Sequence, residues 1–277
     1  MKTKKQITFF LLLLCASASC FAKQDSTKVK YNPYKINYFV DIPITVTGLL
    51  GSKYGTDYLR GREPKSSINI SNLNPKDIGW LDRGATKQNY SEAENYLSIS
   101  DYFLRFGFFG PFLMYIDPKV RDLGLNFALL HAESQAINSS IYLAASVPIP
   151  RLRPFMYNPN VSAEIKHGRN TTNSFFSGHV STAATATFFM VKVYYDLHPK
   201  AKNKFLFYGL ATIPPAYTGY LRYKGSKHFP TDILTGFAVG VLTGILIPEL
   251  HKRNSPVKIY PIAINKGLGL YAKIALQ

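Results

Sequence analysis

Cysteine is scarce. The chain of 277 residues has two, Cys15 and Cys20, both near the N-terminus. That excludes a disulfide framework and any thiolate zinc site in the body of the protein. Acids are also few, 16 Asp and Glu against 33 Lys and Arg, a surplus of +17. Such a surplus directs the protein toward anionic partners: nucleic acid, an acidic lipid surface or a phosphorylated small molecule. Long hydrophobic runs are missing as well. Ile7–Cys15 is short, and Asp232 and Glu249 enclose 16 uncharged residues, where a spanning helix needs about 20. What is present suffices for a folded protein. Apolar residues make up 46% of the chain, which excludes a disordered chain and allows one domain or at most two. Aromatic residues, 14%, are expected in core and membrane-interface packing.

Residues 1–22 read MKTKKQITFFLLLLCASASCFA. A basic start, a short apolar run and small residues are the layout of a secretory signal peptide, with cleavage contexts at Ala16-Ser17-Ala18 and Cys20-Phe21-Ala22. A permanent N-terminal anchor and lipid attachment at Cys20 stay open, although Ser17 stands where a lipoprotein signal usually has Leu. Export to the periplasm or cell envelope, with membrane association, is the expected localisation. It turns the positive charge away from nucleic acid and toward an anionic membrane surface and phosphate esters. No protein partner is expected.

Beyond the signal, residues 23–100 are a polar extension, expected to form short helices and loops without chemistry of its own. Residues 101–254 carry longer apolar-periodic segments. Leu125–Val147, Gly178–Leu197, Lys204–Leu221 and Thr231–Leu250 are expected as helices. Pro148, Pro150 and Pro154 end the first, and Pro230 opens the last. Residues 255–277 form a tail whose alternation around Asn265-Lys266-Gly267 predicts a hairpin. No strand–helix alternation occurs, so the fold class is all-α, a helical bundle. His131, Glu133, Gln135 and Asn138 would be costly facing lipid, so the bundle is expected to rest on a membrane or dip into it.

Three clusters in the second half carry chemistry: Arg151-Leu152-Arg153-Pro154, Asn173 to His179, and Leu221 to Asp232. The last two each place a histidine at or near a helix N-terminus, where free N–H groups favour an anion. Ser177 is an N-cap candidate whose hydroxyl can also donate to a phosphate oxygen. Gly178 admits close backbone approach, and Arg153 and Arg222 offer guanidinium forks for phosphate. Asp232, four residues after His228, is expected to reach its ring and fix the tautomer. That leaves His228 as nucleophile or base and His179 as proton donor.

In this order the clusters resemble the phosphatidic acid phosphatase type 2 / vanadium haloperoxidase superfamily, whose pattern is Lys-x6-Arg-Pro, Pro-Ser-Gly-His and Ser-Arg-x5-His-x3-Asp. Arg153-Pro154, Ser177-Gly178-His179 and Arg222, His228 and Asp232 match. Phe176 replaces Pro, and Leu221 replaces Ser. The resemblance implies the helical bundle of that superfamily and a phosphatase acting on a phosphorylated lipid or small phosphate ester. His228 would be the phosphohistidine nucleophile, oriented by Asp232, and His179 the acid. Arg153, Ser177, Gly178 and Arg222 would hold phosphate, with no cofactor and no metal. One departure matters. The family Lys falls on Ser146, and Arg151 is the nearest replacement cation. Two other classes stay open, a non-catalytic exported lipid-binding or envelope protein and a vanadate-dependent haloperoxidase. His131, His167, His198 and His251 match no motif position and are expected to be structural.

Overall fold

A computed structural model describes residues 31–64, 69–264 and 267–274. The signal-like segment 1–22, both cysteines and the hairpin tip at Asn265-Lys266 lie outside them. The described residues form α1 (Tyr38–Gly61), α2 (Ala93–Phe109), α3 (Pro118–Leu123), α4 (Leu125–Ser146), α5 (Ala163–His167), α6 (Gly178–Leu197), α7 (Lys204–Ala211), α8 (Ile213–Lys224) and α9 (Pro230–His251), then β1 (Val257–Ile264) and β2 (Gly267–Ile274). The fold is an all-α bundle. Its tail is an antiparallel pair with Val257 opposite Ile274 and Ile264 opposite Gly267.

Helix α6 is the axis of the bundle, contacting α2, α4, α7, α8 and α9. Its sequence explains the position: Ala183, Ala184, Ala186, Ser181 and Thr185 are all buried small residues, so neighbours on several sides come close. The α6–α9 contact is tightest. Gly236, Gly240 and Gly244 form a row along α9 facing the Ser177, Ser181 and Thr185 carbonyls of α6. A methyl on Gly236 or Gly244 would stand 2.5 Å from its carbonyl, and one on Gly240 closer still. Only a row without side chains permits that approach.

The polar residues of α4 are accounted for by burial inside the bundle. His131, Glu133, Gln135 and Asn138 are all 3% exposed or less. The expected single helix Lys204–Leu221 is in fact two, α7 and α8, broken at Thr212. Pro214 and Pro215 lack the N–H groups needed to continue it but suit a helix start. The larger correction concerns the polar extension. It holds α1, a helix of 24 residues packed along α4. Pro43 and four glycines mask its periodicity. Two of them are there for contact: a methyl on Gly48 would meet Ala136 at 2.9 Å, and one on Gly55 would meet Leu143 at 2.5 Å.

These contacts make two variants diverge. Gly240→Val is expected to force α9 off α6 at a cost of about 2 kcal/mol or more, lowering the melting temperature by roughly 4–8 °C. Gly51→Ala, on α1 with nothing within 4 Å of the added methyl, is expected to hold or raise it through helix propensity. Thermal unfolding followed by circular dichroism checks both.

Candidate active site

The site is built where three loops meet the ends of α6, α8 and α9. A cavity of about 680 Å³ opens there, and Arg153, Gly178, His179, Arg222 and His228 all line it. Residues up to 75 positions apart thus share one space. Ser177, Asp232 and Arg151 do not line it, and each has a different place.

His228 is buried, and its Nδ1 lies 2.6 Å from the Ser174 carbonyl. A carbonyl only accepts, so Nδ1 carries the proton and Nε2 keeps the lone pair. The expected contact with Asp232 is not the one that orients the ring, since Asp232 Oδ2 is 4.0 Å from Nδ1. Asp232 acts through Ser174 instead. Its Oδ2 accepts from the Ser174 hydroxyl at 2.6 Å and from the Phe229 amide at 2.9 Å. Spacing alone could not reveal this, because the intermediary lies 54 residues before His228.

Arg151 is the second correction. Its guanidinium pairs with Asp232 Oδ1 and, at 2.7 Å, with Asp82 Oδ2, and it covers the Phe229 ring. It therefore turns away from the cavity and replaces no phosphate-binding lysine. Asp82 also accepts from the Thr231 amide at 3.0 Å and hydroxyl at 2.7 Å. Carboxylates of Asp232 and Asp82 thus take the Phe229 and Thr231 amides at the start of α9, where an anion was expected. The N-terminus of α6 is different: Gly178 and His179 open it on the cavity wall, and first-turn N–H groups have no helical partner. Ser177 occupies the N-cap position without making a side-chain cap bond; its hydroxyl is buried and unpartnered. Phe176, in the place of the family proline, packs its ring edge-on to Tyr142.

The cations are buried against neutral groups. Arg153, 4% exposed, donates to Asn173 Oδ1, Asn170 Oδ1 and the Lys227 carbonyl. Arg222, 6% exposed, donates to Ser100 Oγ at 3.2 Å, and its Nε has no partner. A buried charge is costly without a counter-charge, and neither guanidinium makes a salt bridge among the described residues. Lys227 joins them on the wall, its ammonium 4.7 Å from the Phe155 ring centroid. Burial, with Arg153 and Arg222 nearby, pulls Lys227 down to about 7. The same causes hold His228 well below the usual imidazole range, so it is neutral.

His179 Nε2 lies 3.0 Å from Asp101 Oδ1 on α2. Burial and Arg222 push His179 down to about 4, while Asp101 works in the opposite direction. Asp101 and Asn170 lie outside the three sequence clusters, and Asn173, Ser174 and Lys227 lie inside them without a role assigned from the pattern. Lys227 and Ser174 sit beside matched positions, but nothing in the local pattern says which way they point. Ser146, in place of the family lysine, donates its hydroxyl to the Phe175 carbonyl at 2.7 Å, bracing the loop that leads into α6.

The family described as the PAP2 superfamily matches residues 124–256, a range that contains Arg153, His179, Arg222 and His228. Residues 124–256 of the chain belong to the PAP2 superfamily. Members of this family are phosphatases. Among solved structures the PAP2 chain is similar to one described as the crystal structure of the first transmembrane PAP2 type phosphatidylglycerolphosphate phosphatase from Bacillus subtilis. The two share 19% identity, with a TM-score of 0.44, over 76% of this chain and 94% of the other.

In this PAP2 protein the Arg151 cluster is expected to support the site without touching ligand. Arg151→Ala leaves Asp82 and the buried Asp232 without their cation, a loss of about 2–3 kcal/mol for a partly exposed partner. The expected readout is a melting temperature lower by roughly 4–12 °C, measured by differential scanning calorimetry.

Proposed function

We propose that this PAP2 protein hydrolyses a phosphate monoester or diphosphate, carried on a lipid, through a phosphohistidine on His228 and without a metal ion. The observation that carries the reading is the cavity itself. Two buried guanidiniums and an ammonium converge on a neutral imidazole, and the two acids on the wall, Asp57 and Asp101, leave part of the countercharge to the ligand. A phosphoryl group supplies it.

The mechanism follows from the donors present. His228 Nε2 attacks phosphorus while the Ser174 carbonyl stabilises the Nδ1–H that becomes more acidic. Arg153, Arg222, Lys227 and the opening N–H groups of α6 neutralise the equatorial oxygens, where transition-state charge collects. Bound phosphate also offsets the repulsion Arg222 exerts on His179, raising its proton affinity and favouring the imidazolium beside Asp101. His179 then protonates the departing oxygen, and the alcohol or phosphate leaves. In the second half, neutral His179 takes a proton from water, the hydroxide attacks phosphorus, and the bond to Nε2 breaks. Inorganic phosphate departs, His179 passes its proton to solvent, and both histidines return to their starting states.

A lipid substrate is supported by the surface. Phe39 is 94% exposed on α1 and Phe205 92% on α7; Leu206, Ile213, Leu234 and Leu242 are exposed on α7, α8 and α9. By length and composition, α9 is one helix among the described residues apolar enough to cross a membrane. Exposed apolar side chains on four helices suit a protein that rests in the lipid boundary of the envelope after export. Lys53 and Arg60 of α1 line the same cavity and suit an anionic head group.

A phosphate-release screen over phosphatidate, phosphatidylglycerol phosphate, polyprenyl diphosphate and soluble esters tests the reading. Wild type is expected to release phosphate and to be inhibited by vanadate, and His228→Ala to lose on the order of 10³-fold or more in kcat. An inactive wild type would leave a non-catalytic lipid-binding protein, and halide oxidation dependent on added vanadate would make it a haloperoxidase.

Lys227 gives the pH dependence its sign. Its charge is lost as pH rises through about 7, so kcat/KM should fall on the alkaline side. Lys227→Met is expected to lower kcat/KM by about tenfold at pH 6 and to remove that alkaline limb. A pH profile unchanged from wild type would show that the ammonium does not bind phosphate.

A further inference from the structure

Asp41, Glu133 and His251 lie far from one another in sequence and outside the catalytic cavity. Asp41 is in the first turn of α1, Glu133 in α4, and His251 ends α9. Both acids are buried, 6% and 3% exposed, and the His251 side chain is 14% exposed. One donor atom from each lies within 4.8 Å of the other two.

Three details go beyond a cluster of acids. His251 Nδ1 stands 2.8 Å from the Ile247 carbonyl, so Nδ1 carries hydrogen and Nε2 is the nitrogen turned to the carboxylates. That is how ligating histidines are held in metal sites. The separations are also telling. Nε2 is 3.4 Å from Asp41 Oδ2 and 3.3 Å from Glu133 Oε2, longer than the roughly 2.9 Å of a hydrogen bond. Neighbouring ligands about 2.1 Å from a tetrahedral ion stand about 3.4 Å apart. Finally, Glu133 Oε2 is buried and accepts no hydrogen bond, while two carboxylates face one imidazole. The nearby lysines are engaged elsewhere, Lys192 and Lys252 with Asp196 and Glu249.

We propose that Asp41, Glu133 and His251 bind one divalent cation of the zinc or manganese type, a donor set suited to such ions. The ion ties α1 to α4 and α9 at the end of the bundle away from the cavity, with water completing its coordination. The Asn37 amide donates to Asp41 Oδ2 at 2.7 Å, holding that ligand from behind. The site is structural, separate from phosphate chemistry, and does not depend on the proposed phosphatase reaction.

The test uses the full chain, stripped with chelator and titrated with zinc chloride or manganese chloride. Metal content after equilibrium dialysis and melting temperature are the readouts. One ion per chain at micromolar free metal is expected, with melting raised by about 5–10 °C at a hundredfold excess over Kd. Glu133→Gln and His251→Asn are expected to weaken binding at least tenfold, and His228→Ala to bind as wild type. No saturable binding by wild type below millimolar metal would overturn the proposal, leaving a three-way ion pair. So would a Glu133→Gln protein that binds as tightly as wild type.

Discussion

The structure depends on one buried carboxylate. Asp232 is fully enclosed and ties together the three segments that bear the site. It accepts from Ser174 in the loop before α6, from the Phe229 amide at the start of α9, and from Arg151 in the loop after α4. A charge in such a place is tolerable only when every lone pair is used. The need to satisfy it therefore fixes where the loops cross. Ser174, held this way, positions the imidazole of His228, so the carboxylate governs the ring through a serine rather than by touching it.

Charge is sorted along the bundle. Around the cavity, cations are buried against amides, a hydroxyl and carbonyls. Asp101 is the acid beside His179, and Asp57 on the cavity wall is shared with Lys53. At the far end Asp41, Glu133, Asp196 and Glu249 gather, with Lys192, Lys252 and His251 among them. The first arrangement stores positive potential at the cavity, a repulsion that an anionic ligand would relieve. The second holds helix ends together. Between them, α6 and α9 touch backbone to backbone through a glycine row, which makes the loop before α6 and the α9 start a single rigid unit.

Helix positions were legible wherever apolar spacing and proline punctuation agreed. Gly178–Leu197 is reproduced to the residue, and α4 and α9 within one residue at each end. Where the two signals conflicted, reading failed. The glycines of α1 lower its helical signal, yet Gly48 and Gly55 are there because α4 lies against them. In Lys204–Leu221 the apolar periodicity ran through a Pro-Pro pair that restarts the helix. Within the site, residues held by a motif were readable one by one, and residues that act across motifs were not. Arg151 has the right charge at the right place in the chain, but Asp82 and Asp232 turn it away.

What the sequence by itself determined is the chemistry available: two histidines, two arginines and small residues before an apolar helix, in an order that names their superfamily. These are local patterns, written in spacing. The tertiary structure decided which groups share a space and which way each side chain turns. Lys227 enters the cavity, Ser174 carries the hydrogen bond to His228, and Asp41, Glu133 and His251 meet across three helices. Those outcomes depend on burial and charge pairing between segments remote in the chain, which periodicity along one strand of residues does not encode.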